Sequence, residues 1–341
     1  MHVYHRTKIK YFNDLNEIKA YNISPTKSCN KTGILSGYSI ALGNFDGVHL
    51  GHQKVIAECR QIATQNNWLS VVLTFSPHPL TLTNPGSTKN KKIYHQEYNL
   101  KLLSETGIDE IWVLNFNQEL LTVNAQDFIF SLLTAKMRHL TTGYNFYFGH
   151  KRSGNTELLH KMASELGFGY SEIEQFVYNY HTVSSSYIKN ILQLGVVQTA
   201  SNLLGRPYLM SGLVQKGQGI AKSKLGIPTA NITNPRVGWK FQDNINDTTV
   251  LAHNNKIQYP AYGVYLAYTY FENSQYWSII NFGIRPTVDG NNQNTMPTLE
   301  VHLLDYTNNQ SLLDKQLTVA FLQFIRPEIK FNSLEQLKNQ I

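Results

Sequence analysis

The passage Leu42-Gly43-Asn44-Phe45-Asp46-Gly47-Val48-His49-Leu50-Gly51-His52 gathers two imidazoles, a carboxylate, an amide and three glycines between an apolar run and a helical pattern. Residues 38–42 have the composition of a short strand, Gly43 and Gly47 permit a tight turn, and Val55, Ile56, Cys59, Ile62 and Ala63 then recur at helical spacing. His49 and His52 therefore stand where a loop enters a helix. The first turn of a helix presents unpaired N–H groups and a positive partial charge, so imidazoles there can join the backbone in holding an anion such as phosphate. Two such histidines could also begin a metal site or be ordinary surface residues. No third ligand stands nearby, the cysteines are too few, and the company of Gly43, Asn44, Asp46, Gly47 and Gly51 favours the anion.

Other stretches carry similar groups. Phe75-Ser76-Pro77-His78-Pro79 is a turn made rigid by its prolines, and in itself only a turn. Residues 143–154 are glycine-punctuated, aromatic and basic, with Asn145, Phe146, Tyr147, Phe148 and Arg152, a mixture able to stack a ring and pair with phosphate. Ser184, Ser185 and Ser186 open a helical pattern that carries Lys189; serines in that position serve as N-caps by default. Further on, Gly226, Pro228, Thr229 and Asn231 read as a turn at a strand end. Alternation in 299–305 puts Glu300 and His302 on one strand face, opposite Leu299, Val301 and Leu303.

The elements that position these groups follow from periodicity. After a polar opening segment of about 35 residues, strand-like runs at 68–75, 108–116, 140–144 and 171–177 alternate with helix-like runs at 97–106, 125–138 and 156–166. Such β-α alternation predicts a parallel sheet covered on both faces, with ligands at the carboxyl ends of its strands. Near 194–195 the pattern changes. A short helical run at 197–204 leads to strand candidates at 208–214, 261–270, 276–282, 299–304 and 317–324, and no long helical pattern returns before 334–341, where Asn332 and Glu335 form a capping box. A small antiparallel barrel with a closing helix fits this half. The fold class is thus α/β with two domains, 1–200 and 201–341, the latter interrupted by an Asn- and Asp-rich insertion at 233–258.

Composition sets the outer limits. With 341 residues, 42% of them hydrophobic, the chain can bury two cores. The net charge of +7 suits anionic substrates or nucleic acid, but the basic residues are scattered and the one dense group, Lys89, Lys91 and Lys92, reads as a solvated loop; no nucleic-acid partner is expected. No uncharged apolar run approaches the roughly 20 residues of a membrane span, and the N-terminus has no secretory pattern, so no membrane partner is expected either. Cys29 and Cys59 give no disulfide framework, which makes the cytoplasm the expected compartment.

The run from Gly43 to Gln53 contains the H-x-G-H signature of nucleotidylyltransferases and, as a whole, resembles the bacterial bifunctional riboflavin kinase/FMN adenylyltransferase family, also called FAD synthetases. The resemblance continues in the family's order through T-F-x-P-H-P at 74–79, G-x-D-F-x-F-G-x-x-R-x-G at 143–154, I-S-S-T-x-I-R at 183–189, P-T-A-N at 228–231, the stretches 281–287 and 324–331, and x-E-V-H-L-L-D at 299–305. It implies a nucleotidylyltransferase domain of Rossmann-like form followed by a riboflavin kinase barrel. Gly43, Asn44, Phe45, Asp46, Gly47, His49, Gly51, His52, Ser184, Ser185, Ser186 and Lys189 would then bind ATP for adenylylation, with His49 and His52 catalytic. Pro77, His78, Pro79, Asn145, Phe146, Phe148 and Arg152 would lie near the flavin and nucleotide. In the kinase, Glu300 would be the base, Thr229 and Asn231 would coordinate Mg²⁺ through hard oxygen donors, and Gly226, Pro228, Asn281, Arg285 and Arg326 would contact nucleotide and flavin. Riboflavin, FMN and ATP are the expected small-molecule partners and FAD the product; the oligomeric state is not implied. The chain departs from the family pattern at Asn145 (commonly Asp), Tyr147 (commonly Arg), Lys189 (commonly Arg, so the charge stays and the bidentate fork goes), Lys222-Ser223 (commonly Gly-Arg) and 308–315, where L-Y-G is absent.

The chemistry implied divides unequally between the halves. A riboflavin hydroxyl must lose a proton as it attacks phosphorus, so the kinase needs a base. The phosphate of FMN is already ionised, so adenylylation needs only alignment and charge neutralisation. The rival expectations are an adenylyltransferase with a degenerate kinase half, and a flavin-binding regulator without turnover.

Overall fold

A computed structural model of the chain describes residues 7–21, 37–83, 90–216, 229–238, 257–285, 296–304, 306 and 311–329. The chain divides into two compact units, Met1–Asn90 with Asn99–Ser184, and Lys91–Tyr98 with Ser185–Ile341.

In the first unit the order is β1 (Lys8–Phe12), α1 (Leu15–Ala20), β2 (Tyr38–Leu42), α2 (Leu50–Asn66), β3 (Leu69–Ser76), α3 (Pro79–Thr83), α4 (Gln96–Glu105), β4 (Glu110–Asn115), α5 (Gln118–Thr122), α6 (Ala125–Thr134), β5 (Met137–Gly143), a 3-10 turn (His150–Arg152), α7 (Thr156–Leu166), β6 (Gly169–Ile173), and a small hairpin of β7 (Val177–Tyr178) and β8 (His181–Thr182). Six strands form one sheet in the order β1-β4-β3-β2-β5-β6, and every pair in it is parallel. β2 is buried at every position, as a central strand covered on both faces must be. α2 runs from a histidine cap to Asn67 in the left-handed conformation and buries Val55, Ile56, Cys59 and Ala63.

Two expectations need correction. The opening segment holds a strand and a helix: β1 joins the edge of the sheet beside β4, and Asp14 caps α1 by accepting from the N–H groups of Asn16 and Glu17. An edge strand that leaves Ile9 and Tyr11 exposed gives almost no burial pattern in sequence. The helix expected over 125–138 stops at Thr134, because Lys136 takes a left-handed φ of 67° and Met137 begins β5.

The core of this unit centres on Trp112, fully buried, with the rings of Tyr38, Phe12 and Tyr21 edge-on at 4.9, 5.5 and 5.5 Å. Its indole N–H donates to Glu110 Oε2 at 2.9 Å. Trp112→Ala is expected to cost about 3–5 kcal/mol, read from the urea midpoint of the purified protein; a loss below about 1 kcal/mol would show that the cluster repacks.

His139 on β5 is buried, contacts Ser171 Oγ at 3.2 Å, and has its pKa lowered to about 4 by burial. A Cβ on Gly169 would collide with this ring, so the glycine admits it. Between an unfolded-state pKa near 6.5 and the folded value of about 4, the unfolded chain binds the extra proton, so stability falls as pH falls through that window. His139→Asn is expected to flatten urea stability between pH 6.5 and 4 relative to the wild type, and an unchanged slope would remove His139 from the acid response.

The second unit holds α8 (Ser185–Gln193), α9 (Val197–Leu204), β9 (Tyr208–Gln215), β10 (Ala230–Thr233), β11 (Arg236–Val237), β12 (Gly263–Phe271), β13 (Ser274–Arg285), β14 (Met296–Leu303) and β15 (Gln316–Arg326). The order β10-β14-β13-β12-β15-β9 closes on itself through a β10–β9 pairing, and all its ladders are antiparallel. Closure removes the sheet edges. Leu299, Val301, Ile280, Phe282, Tyr265, Val319 and Phe321 fill the barrel, while α9 packs on β9 and β15. Residues Lys91–Tyr98 belong here too: Tyr94 stacks on Tyr208, and Gln258 N–H donates to the Lys92 carbonyl at 2.8 Å. The insertion expected at 233–258 starts later than its composition suggests, because Thr233 ends β10 and β11 pairs with β9 with Val237 buried. Its residues 239–256 lie outside the described residues, as do the expected terminal helix at 334–341, its capping pair Asn332 and Glu335, and Lys222-Ser223. Among the described residues, no helix is long and apolar enough to cross a membrane.

Candidate active sites

In the first sheet β3 and β4 lie to one side of β2, and β5 and β6 to the other. The carboxyl ends of β2 and β5 therefore form the switch point at which open parallel sheets take ligands. Residues 43–52 leave β2 at that point, and 143–154 leave β5.

The loop after β2 is held by three hydrogen bonds, two to β3 and one to α4. Gly43 N–H donates to the Leu73 carbonyl at 3.2 Å, Thr74 Oγ1 donates to the Asn44 carbonyl at 3.3 Å, and Gly47 N–H donates to Asn99 Oδ1 on α4 at 3.1 Å. Sequence reasoning missed Thr74 and Asn99, since nothing in their spacing ties them to the loop. Phe45, Gly47 and Val48 hold left-handed φ angles of 49°, 85° and 41°. For β-branched Val48 that conformation is costly, and such strain collects at ligand sites.

His49 caps α2: its Nδ1 accepts from the His52 N–H at 3.2 Å, and the residue is 5% exposed. The His52 ring stacks on it at 3.6 Å between centroids and 15° between planes, and the Phe45 ring meets His52 edge-on at 5.2 Å. A Cβ on Gly51 would lie 3.3 Å from the His49 ring, so any larger residue crowds the cap. The first turn of α2 has no acidic residue, which leaves its positive end for an anion.

The other expected contact residues are placed as follows. Pro77, after a cis Ser76–Pro77 peptide, and His78 and Pro79 follow β3, with His78 Nδ1 accepting from Leu80 N–H at 3.2 Å. After β5, Asn145 is exposed and Phe146 half-buried, whereas Phe148 lies in the core against Phe128 and Phe146 at 5.9 and 5.6 Å. The exposed ring is that of Tyr147, with the Arg152 guanidinium 4.4 Å above it. Gly149 is required at its turn, where φ is 73° and a Cβ would meet the Ala125 backbone at 2.8 Å. Ser184 ends the first unit, and Ser185, Ser186 and Lys189 begin α8 in the second, with Lys189 Nζ donating to the Lys91 carbonyl at 2.9 Å.

On the barrel, alternation holds as expected: Leu299, Val301 and Leu303 are buried, while Glu300 and His302 are half-exposed on the outer face. The register shows what stands beside them. Glu300 is directly opposite Asn231 on β10 and directly opposite Asn281 on β13, and the same row continues through Val264 on β12 to Arg326 on β15. Directly paired residues share a face with Cβ atoms about 4.5–5.5 Å apart, so a carboxylate is set between two amides. The side-chain Oδ1 of Asn281 is closed off from solvent and has no hydrogen-bond partner, an open acceptor in this row. Thr229 stands two residues ahead of Asn231, half-exposed, and Arg285 ends β13 opposite Met296. Gly226 and Pro228 lie outside the described residues.

A six-stranded parallel sheet with a histidine-capped helix at its switch point stands in one chain with a barrel that sets a carboxylate between two amides, a two-unit arrangement suited to phosphate-bearing ligands. Residues 31–187 match the FAD synthetase family and residues 204–341 the riboflavin kinase family. A protein of Buchnera aphidicola subsp. Schizaphis graminum is 33% identical over 92% of this chain and 93% of its own length, and one of Pseudomonas fluorescens is 32% identical over 89% and 90%. Both are named bifunctional riboflavin kinase/FMN adenylyltransferase, and this chain belongs to that family. A Streptococcus pneumoniae crystal structure, described as a macrolide-efflux protein, shares the fold with a TM-score of 0.75 and 23% identity over 97% of this chain and 95% of that one.

Proposed function

We infer that this chain makes FAD from riboflavin in two ATP-dependent steps, phosphorylation to FMN on the barrel and adenylylation of FMN, with release of pyrophosphate, in the N-terminal unit. The observation that carries the reading is the position of Glu300, half-exposed on the barrel's outer face between Asn231 and Asn281. A carboxylate so held can take the proton of the riboflavin hydroxyl as it attacks the γ-phosphorus of ATP. In the N-terminal unit His49, His52 and the first turn of α2 neutralise phosphate charge and align the reacting groups; the ionised FMN phosphate needs no base.

Thr229 and Asn231 offer hydroxyl and amide oxygens, half-exposed at the head of β10, a donor set that fits a hard cation keeping several waters. Mg²⁺ bound there would offset the charge of the ATP phosphates. Incubating the purified chain with riboflavin, ATP and Mg²⁺ and resolving FMN from FAD tests the whole reading. FAD from supplied FMN but no FMN from riboflavin would leave an adenylyltransferase alone; flavin binding with neither product would leave a regulator.

A further inference from the structure

Gly283 on β13 is buried and its φ is not positive, so backbone conformation does not call for glycine there. A neighbour does. A Cβ on Gly283 would meet the carboxylate of Glu328, 2.7 Å from its carboxyl carbon and 2.8 Å from Oε2. Ile280 and Phe282 point into the barrel, so position 283 shares the outer face with Asn281. The Glu328 carboxylate thus fills the side-chain space of position 283, on the face that bears Glu300. Asn281 is opposite Glu300 and Gly283 opposite Thr298, which makes positions 283 and 300 diagonal neighbours about 7–8 Å apart.

Glu328 itself is exposed, and the Tyr262 hydroxyl has its pKa raised by burial and by the Glu328 charge. A carboxylate only accepts hydrogen bonds, and a second negative charge repels nucleotide phosphates, so its ligand must be a neutral donor or a cation. A polyol bridges this spacing with one hydroxyl at each carboxylate. We propose that Glu328, seated over Gly283, is a substrate-positioning residue of the kinase step, accepting a hydrogen bond from a secondary hydroxyl of the ribityl chain while the terminal hydroxyl lies at Glu300. This rests on the reading of the barrel as a riboflavin kinase.

The test is steady-state kinase kinetics on the full chain. Glu328→Ala is expected to raise the KM for riboflavin about 10- to 100-fold, with kcat and the KM for ATP within a few-fold of wild type. Glu328→Gln, which keeps an acceptor oxygen, should lie between the two. Gly283→Ala should reproduce the KM rise by displacing the carboxylate; should it misfold, the two Glu328 variants still decide. With 2′-, 3′- and 4′-deoxyriboflavin as substrates, the Glu328→Ala penalty should vanish for the analogue that lacks the partner hydroxyl. The same penalty with every analogue, or a loss in kcat at constant KM, would overturn the proposal. So would an unaffected Glu328→Ala enzyme, with the kinase reading intact; a wild-type chain that makes no FMN would remove both.

Discussion

Glu300→Gln is expected to lower FMN formation from riboflavin by about 10²- to 10⁴-fold, the usual contribution of a positioned general base. Gln keeps the size and hydrogen-bonding shape of the side chain but cannot take a proton, so the ladder positions opposite Asn231 and Asn281 remain filled. The strand itself should be undisturbed, because its core contacts come from Leu299, Val301 and Leu303 on the opposite face. FAD formation from supplied FMN should hardly change, since that acceptor is already ionised. Paired assays on one preparation, started from riboflavin and from FMN, give the answer. An unimpaired kinase assay would show that Glu300 is not the base, and parallel loss in both would point to misfolding or a shared site.

His52→Ala is expected to do the reverse, lowering FAD formation from FMN by about 10²- to 10³-fold, the scale seen when one charge-stabilising donor is lost. His52 is a cleaner probe than His49. The cap of α2 is made by His49 Nδ1 with the backbone N–H of His52, so the substitution removes an imidazole and leaves the cap in place. Loss of His49 would add about 0.5–2 kcal/mol of capping energy to any catalytic effect. FMN formation from riboflavin serves as the control for fold. Undiminished FAD formation by His52→Ala would take the stacked pair out of the mechanism.

The two variants together test whether the chemistry divides as the two halves of the sequence imply. In each, the proposed site lies where local pattern is strongest. The helix after Gly51 and the alternation around Glu300 are short-range signals, set by spacing of 3.6 and 2 residues, and both are legible in the order of residues alone. The β-α alternation likewise carries the parallel sheet, and the run of strands after 208 carries the barrel.

What stays hidden depends on partners distant in the chain. β1 is a short edge strand in which the apolar Ile9 and Tyr11 are the exposed positions, so its local pattern does not mark a buried face and only its pairing with β4 reveals it. Asn99 and Thr74 hold the histidine loop from α4 and β3, yet each is one polar residue in its own element. Phe148 and Tyr147 are adjacent aromatics; packing against Phe128 buries the first and leaves the second beneath Arg152. The sequence by itself determined the type of most elements and the faces they present, and singled out the two stretches proposed to carry the chemistry, because these follow from local periodicity and from turn and cap residues. Only the tertiary structure decided that Asn231 and Asn281 flank Glu300 and that Gly283 makes room for Glu328. Strand register joins residues tens of positions apart and is fixed by closing the barrel around one core, which no local window of sequence contains.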